Sequence, residues 1–319
     1  MSEKNKKILV TGGAGYIGSM LCTHLLNLGY SVTVIDKLMF DSNAIKHLFS
    51  YKNFFFYNKD VNNIRFICKI ISKFDYIIPL AALVGAPLCD KYKKEAIETN
   101  YKSIKNIVSN LNKKQKIIYL TTNSGYGIGE KNKFCNENSP LNPISLYGKT
   151  KCQAEEVVKL FKNSVCFRLA TVFGVSYRMR SDLLVNNFVY KSLVNKKIDI
   201  FEPHFRRNYI HIKDVIRAIT FAIKKFNSLK GEVYNLGLSS ANITRLQLAR
   251  KIKKIYSPVK LKVIYNMSDP DKRDYFVSNK KIEKKGFKTK YSLEDGIQEL
   301  ISYFFFLKQE KKIKIFNNY

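Results

Sequence analysis

The sequence predicts an α/β protein: a Rossmann-type doubly wound parallel sheet with a smaller C-terminal α/β region that binds substrate. Three observations carry this expectation. Short apolar runs alternate with helical segments through the first half of the chain. A glycine-rich turn directly follows the first run. After Leu169 the alternation loosens, and helical stretches are separated by only short runs.

The expected strands are residues 7–11, 31–36, 54–57, 76–80, 117–121 and 165–169. Each is a run of the length that suits a strand covered on both faces. The expected helices include 15–28, 91–111 and 144–161, then 183–194, 213–226 and 244–256. Right-handed crossovers would place them on both faces of the sheet. The first domain is therefore expected over 1–169. The substrate-binding region is expected over 170–319, with a segment near 208–240 returning to the first sheet.

The formal charge is +31, from 56 Lys and Arg against 25 Asp and Glu. A basic face would suit nucleic acid or an anionic membrane. Here the lysines are spread over nearly every segment, and dispersed charge marks a solvated surface rather than a binding patch. No nucleic-acid or membrane partner is expected, whereas a positive field that attracts an anionic substrate is. The cysteines, Cys22, Cys68, Cys89, Cys135, Cys152 and Cys166, form no CxxC pair and suit neither zinc nor a disulfide framework. No metal site is expected. Reduced thiols, an N-terminus without an apolar signal region, and apolar runs too short to cross a bilayer point to the cytoplasm.

Gly12-Gly13-Ala14-Gly15-Tyr16-Ile17-Gly18 lies between the first strand and the first helix. Glycines there let backbone approach a pyrophosphate, and the helix N-terminus offers free N–H groups and a positive dipole end. Gly12, Gly15, Tyr16, Ile17 and Gly18 are the expected cofactor contacts. Asp36 ends the second strand, where a carboxylate accepts from ribose hydroxyls and repels a 2′-phosphate, so NAD is expected over NADP. Lys37 follows it and weakens that discrimination.

Tyr147 and Lys151 are four residues apart on an expected helix and so share one face. A phenol titrates near pH 10, and a nearby ammonium favours its ionised form. Such a pair can take a hydroxyl proton while hydride leaves for a nicotinamide. Lys151 is also placed to hold the nicotinamide ribose. Upstream, a strand ends in Thr121-Thr122-Asn123-Ser124, and the carboxyl ends of parallel strands are where such sheets bind ligands.

Taken together, TGGAGYIG, Asp36, Asp60-Val61, Leu80-Ala81-Ala82, Asn100, TTNSGYG, YGKTK, RRNYIH and YNLG occur in an order that resembles the NAD-dependent epimerase/dehydratase family, the extended short-chain dehydrogenase/reductases. The resemblance covers almost the whole chain. It implies retained NAD, a nucleotide-diphosphate sugar as substrate and a homodimer built on two long helices. It implies Thr122, Tyr147 and Lys151 as the catalytic set. It further implies Asp60, Val61, Leu80, Ala81, Ala82 and Asn100 around the cofactor, and Asn187, Arg207 and Arg273 on the substrate diphosphate.

Sugar 4,6-dehydratases of the family carry Asp and Glu where this chain has Asn123 and Ser124, so water elimination is not expected. Asn123 and Ser124 are taken instead as substrate contacts. What remains is oxidation at C4. The stretches PLAALVGAPLC, TTNSGYGIGE, FRLATVFG, RMRSDLLVN, HFRRNYIH and DPDKRDY are similar to the capsule-heptose branch of the family. That likeness implies a GDP-heptose oxidised to its 4-keto form in capsular or surface polysaccharide synthesis, with Arg178 and Arg180 on the diphosphate or the heptose. Two alternatives stay open: a 4-epimerase that returns the hydride to the opposite face, and a non-catalytic NAD-binding or basic RNA-binding protein.

Overall fold

The computed structural model describes residues 6–130, 133–265, 273–310 and 312. Residues 269–272 of the DPDKRDY stretch, and residues 1–5 of the N-terminus, lie outside them.

Seven parallel strands form the main sheet, in the order Glu232–Leu236, Ser164–Leu169, Lys116–Thr122, Tyr76–Pro79, Lys7–Thr11, Ser31–Asp36, Phe54–Asn58. The first strand sits inside the sheet. The chain winds outward from it in one direction, returns, and winds outward in the other. The reversal falls between Lys7–Thr11 and Tyr76–Pro79, which pair in parallel from Ile8 opposite Tyr76. Ligands of open α/β sheets bind in the crevice at such a switch point, beyond the carboxyl ends of the strands.

The strands are apolar on both faces because both are covered. Ile8 and Val10 join a core with Leu21 and Leu25 of the helix Tyr16–Asn27 and Val215 and Ile219 of the helix Ile212–Lys224. Leu9, pointing the other way, joins Ile104, Ala154 and Val158 from the helices Ser103–Ser109 and Leu146–Lys159. A third core gathers Val185, Val189, Leu248, Ile252, Ile297 and Phe304 from the helices Leu184–Val194, Arg245–Ile255 and Leu293–Gln309. Around it lie a three-stranded sheet (Asn242–Thr244, Arg206–His211, Thr171–Phe173) and the parallel pair Lys197–Phe201 with Lys260–Ile264. The strand Glu232–Leu236 pairs with Ser164–Leu169, which carries the chain back to the main sheet after residue 170.

One expected helix differs. In place of a continuous 91–111, the chain forms Ala86–Lys91, Lys93–Ile97, a π-helical turn Glu98–Lys102 and Ser103–Ser109. Gly85, at φ 100°, and Pro87 start the first piece early. Tyr92, at φ −123° and ψ 61°, then breaks it. The π turn brings Thr99 and Asn100 inward, both buried. Among the described residues no helix is long and apolar enough to cross a membrane.

Candidate active site

The carboxyl ends of the strands open on a two-lobed groove. The smaller lobe, about 100 Å³, is lined by Asp36, Asp60, Val61 and Ala81; the larger, about 400 Å³, by Thr122, Tyr147 and Lys151. Gly12, Gly15, Phe40, Leu80 and Ala82 border both lobes, so the glycine turn lies midway along one continuous channel.

The glycines are there because their neighbours leave no room. Gly12 has φ 73°, and a Cβ on it would stand 2.5 Å from the Ala81 nitrogen. The helix Tyr16–Asn27 starts with no side-chain cap, which leaves its first N–H groups facing the channel. Tyr16 and Ile17 line the larger lobe. The Asp36 carboxylate accepts from Ala14 N–H (2.9 Å) and Leu38 N–H (2.8 Å), tying the glycine turn to the end of the second strand. Burial raises its pKa against the pull of those two bonds. Lys37 reaches Asp60 at 3.0 Å on the exposed rim, so its charge is met there by a carboxylate.

Thr122 ends its strand, and its hydroxyl accepts from Ser124 N–H at 3.1 Å. Tyr147 and Lys151 lie in the first turn and a half of Leu146–Lys159, a helix capped by Ser145, whose hydroxyl accepts from Gly148 N–H at 3.2 Å. Burial pushes the Tyr147 phenol up to about 12, with Cys89 adding to the rise, while Arg273, Arg180 and a hydrogen bond from Thr122 pull it down. Burial pushes the Lys151 ammonium down to about 7. Both shifts have one origin, the removal of water from charged forms. The Lys151 Nζ lies 4.1 Å from the ring centroid of Tyr119, one strand position below the cleft floor at Leu120 and Thr121.

The other expected residues divide into two groups. Leu80, Arg178, Arg180, Asn187, Arg207 and Arg273 all line the larger lobe. Asn187 donates to Ser181 O at 3.1 Å, and Arg180 is paired with Asp182, both buried. Arg178 stacks over Phe40, 4.1 Å from the ring centroid. Asn123, Ser124 and Asn100 are buried and line neither lobe. Asn100 stands behind the wall, donating to Leu83 O (2.9 Å) and accepting from Leu83 N–H (2.8 Å); it shapes the loop that covers the channel instead of facing it. Ser124 bonds to Thr122 and Arg273. Sequence reasoning missed Tyr119, Phe40, Asp182, Arg245 and Tyr275, whose positions depend on contacts across the fold and carry no local pattern.

The model of the NAD dependent epimerase/dehydratase family matches residues 8–237. A dTDP-D-glucose 4,6-dehydratase of Dictyostelium discoideum is 30% identical over 77% of this chain, and the match spans 61% of that protein's length. An ADP-L-glycero-D-manno-heptose-6-epimerase of Brachyspira hyodysenteriae is 28% identical over 81% of this chain and 83% of its own. The crystal structure of the UDP-glucuronic acid 4-epimerase of Bacillus cereus, in complex with UDP-glucuronic acid and NAD, superimposes with a TM-score of 0.83. It is 27% identical, covering 95% of this chain and 99% of the epimerase. With the channel, the glycine turn and the Tyr–Lys helix in place, the match over 8–237 shows that this chain is an enzyme of the NAD dependent epimerase/dehydratase family.

Proposed function

We propose that the chain oxidises a nucleotide-activated sugar at C4, with Tyr147 as base, Lys151 as its cationic partner and Thr122 on the reacting oxygen. One observation carries this: the three side chains line the larger lobe of a channel whose other lobe is lined by Asp36. A carboxylate at one end, uncapped helix N–H groups midway and a Tyr–Lys pair at the far end fit a dinucleotide laid along the channel. Asp36, Asp60 and Val61 would hold its adenosine half, and Gly12, Gly15 and Gly18 would lie on its pyrophosphate. Leu80, Ala81 and Ala82 would form one wall, with Asn100 supporting it from behind.

NAD+, when bound, would supply the hydride acceptor. The chain does the rest. The Tyr147 phenolate takes the C4 hydroxyl proton. The Lys151 ammonium stabilises that phenolate, and Thr122 donates to the reacting oxygen. With Thr122 and Lys151 buried and Tyr147 half-buried, these groups act at a lowered dielectric, where each charge counts for more than in water. Asn123 and Ser124 are not carboxylates, so the reading ends at the 4-keto sugar without elimination of water.

For the substrate we favour a GDP-heptose on its way to a capsular or surface polysaccharide, with Arg178, Arg180, Asn187 and Arg207 on its charged and hydroxyl groups. Support comes from the sequence stretches RMRSDLLVN and HFRRNYIH and from five arginines lining the larger lobe. The same reading includes a homodimer, a cytoplasmic location and a division into 1–169 and 170–319. A second reading, 4-epimerisation, uses the same three residues and a sugar that turns over before the hydride returns. The likeness to the Bacillus cereus 4-epimerase favours it.

The test is incubation of the purified chain with GDP-heptose, GDP-mannose, UDP-glucose and UDP-glucuronic acid in heavy water, followed by mass spectrometry. Loss of two hydrogens from GDP-heptose supports the first reading. Unchanged carbon-bound hydrogen count with inverted C4 supports the second. No change in any sugar, with NAD bound, removes both.

A further inference from the structure

Two buried hydroxyls and a half-buried guanidinium behind the reacting corner form a chain with a direction. The Arg273 Nη1 donates to Ser124 Oγ. Ser124 Oγ and Thr122 Oγ1 are 2.9 Å apart. Thr122 Oγ1 also accepts from Ser124 N–H at 3.1 Å, and Thr122 and Tyr147 line the same lobe of the channel. We propose that Ser124 and Arg273 are positioning residues that orient the Thr122 hydroxyl so that it can only donate toward the reacting oxygen, leaving Tyr147 as the single proton acceptor. This rests on the assignment of Thr122 and Tyr147 above.

The direction follows from counting protons and lone pairs. A guanidinium has donors and no acceptor, so Ser124 Oγ must accept from Arg273. Ser124 is 2% exposed, and among the described residues Thr122 Oγ1 is the acceptor within reach of its proton. A buried hydroxyl proton without an acceptor is costly, so the proton goes to Thr122. Thr122 Oγ1 then accepts twice, from the Ser124 N–H and from the Ser124 O–H. A hydroxyl has two acceptor sites and one proton, so only its own proton remains to be given. That proton is left for the lobe that Thr122 and Tyr147 both line, where the reacting oxygen would sit.

The consequence is chemical. A Thr122 free to rotate could accept the Tyr147 proton in some of its orientations and would then favour the neutral phenol. With its acceptor sites filled, Thr122 can only give its one proton, to the phenolate or to the oxygen losing its proton, and never competes for the proton that Tyr147 takes. This orientation needs no carboxylate, and it gives a use to a serine at a position where water-eliminating relatives would place an acid. It also separates Arg273 from an exclusively diphosphate-binding role, because its guanidinium reaches a hydroxyl adjoining Thr122.

Two measurements test the proposal, both on the NAD-loaded full chain. Neutron diffraction from deuterated crystals reads the orientation directly. Deuterium on Ser124 Oγ directed at Thr122, with the Thr122 deuterium directed at Tyr147, is expected; a Thr122 deuterium directed at Ser124 would overturn the proposal whatever the substrate. The second measurement is the pH dependence of cofactor reduction with whichever sugar nucleotide of the panel above the wild type oxidises, GDP-heptose first. Ser124→Ala and Arg273→Met should each slow reduction about tenfold, the worth of one hydrogen bond, and move the acid limb to higher pH. Ser124→Ala should leave KM unchanged. Arg273→Lys, still a donor without an acceptor, should keep the wild-type acid limb. A Ser124→Ala enzyme with the wild-type profile, beside an inactive Tyr147→Phe, defeats the relay and leaves the C4 oxidation standing. An active Tyr147→Phe defeats the C4 oxidation itself, and the neutron result then decides the relay.

Discussion

The Lys151 ammonium rests on the face of Tyr119, 4.1 Å from the ring centroid, with Tyr119 fully buried in the strand below it. Burial drives Lys151 toward its neutral form, and the ring opposes this, because the face of an aromatic ring attracts a cation by about 1–2 kcal/mol when water is excluded. The ring therefore helps keep charged the group that stabilises the Tyr147 phenolate. Tyr119→Leu should lower the Lys151 pKa further, so the alkaline limb of the rate profile should move about one unit to lower pH. Tyr119→Phe keeps the ring and should keep the limb. The Tyr119 hydroxyl has no hydrogen-bond partner among the described residues, so Tyr119→Phe should also be no less stable than wild type in thermal unfolding. Superimposable profiles for Tyr119→Leu and wild type would show that the ring does not act on the lysine.

The helix that carries Tyr147 and Lys151 is held to the sheet by a buried ion pair. Arg168 donates through Nε and Nη2 to Glu155 at 3.1 and 2.6 Å, and through Nη1 to Tyr126 Oη (3.0 Å) and Glu137 O (3.2 Å). The two side chains are 4% and 1% exposed. Removing one partner strands the other charge in the interior, at a cost of about 3–5 kcal/mol. Glu155→Ala should therefore lose about that much stability in urea unfolding. The double replacement Glu155→Leu with Arg168→Met should recover part of it, because no lone charge remains. Equal losses in the single and the double variant would mean that packing, not charge, sets the cost.

Most of the fold was legible because its signals are local. A strand buried on both faces reads as an apolar run, so 7–11, 31–36 and 165–169 announce themselves. The glycine turn is a short contiguous motif, and Tyr147 and Lys151 share a helix face through their spacing. The helix 91–111 misled because its composition suits a helix throughout, while the break at Tyr92 and the π turn at Glu98–Lys102 answer to packing. Thr99 there accepts from Asn62 at 3.1 Å, and Asn100 grips Leu83. The finer parts of the site were not legible. Arg273 and Ser124 are 149 residues apart, and nothing in either segment encodes the other. Arg168 and Glu155 meet only because a strand and a helix pack at one particular register.

Alkaline stability follows from thiols the core holds neutral. Burial raises Cys89 and Cys152 from 9.0 to about 12, and raises Cys22 and Cys166 further still. A raised pKa means that the unfolded chain releases protons first. The stability these thiols contribute is complete below pH 9 and is lost as pH rises toward 12. Lys151 works in the opposite sense, since its folded pKa is depressed and its penalty fades as pH rises past 7. One lysine does not offset four thiols. The urea midpoint should therefore fall from pH 9 upward, and the fall should be shallower in Cys22→Ala and Cys166→Ala variants, each measured against its own midpoint at pH 7. A midpoint flat to pH 11 would show that the thiols ionise within the fold.

Gly18 gives the sharpest test of the cofactor turn, because the contact it avoids is with backbone. A Cβ at that position would stand 2.2 Å from the Gly12 carbonyl oxygen and 2.7 Å from the Gly13 Cα. Neither atom is the tip of a side chain that could swing away, so Gly18→Ala must displace either the turn or the start of the helix Tyr16–Asn27. The helix start is itself anchored, since the Tyr16 hydroxyl donates to Gly174 O at 2.7 Å and Ser176 Oγ donates to Tyr16 O at 2.7 Å. The turn is the part left to move, and with it go the N–H groups proposed to face the pyrophosphate. The expected outcome is a chain that folds with near-normal far-ultraviolet circular dichroism but carries little NAD when denatured and analysed. Its affinity for added NAD should fall at least tenfold, while Gly29→Ala, where a Cβ meets nothing within 4 Å but φ is 85°, should lose stability and keep its cofactor. Full NAD content in Gly18→Ala would mean that the pyrophosphate does not lie on this turn.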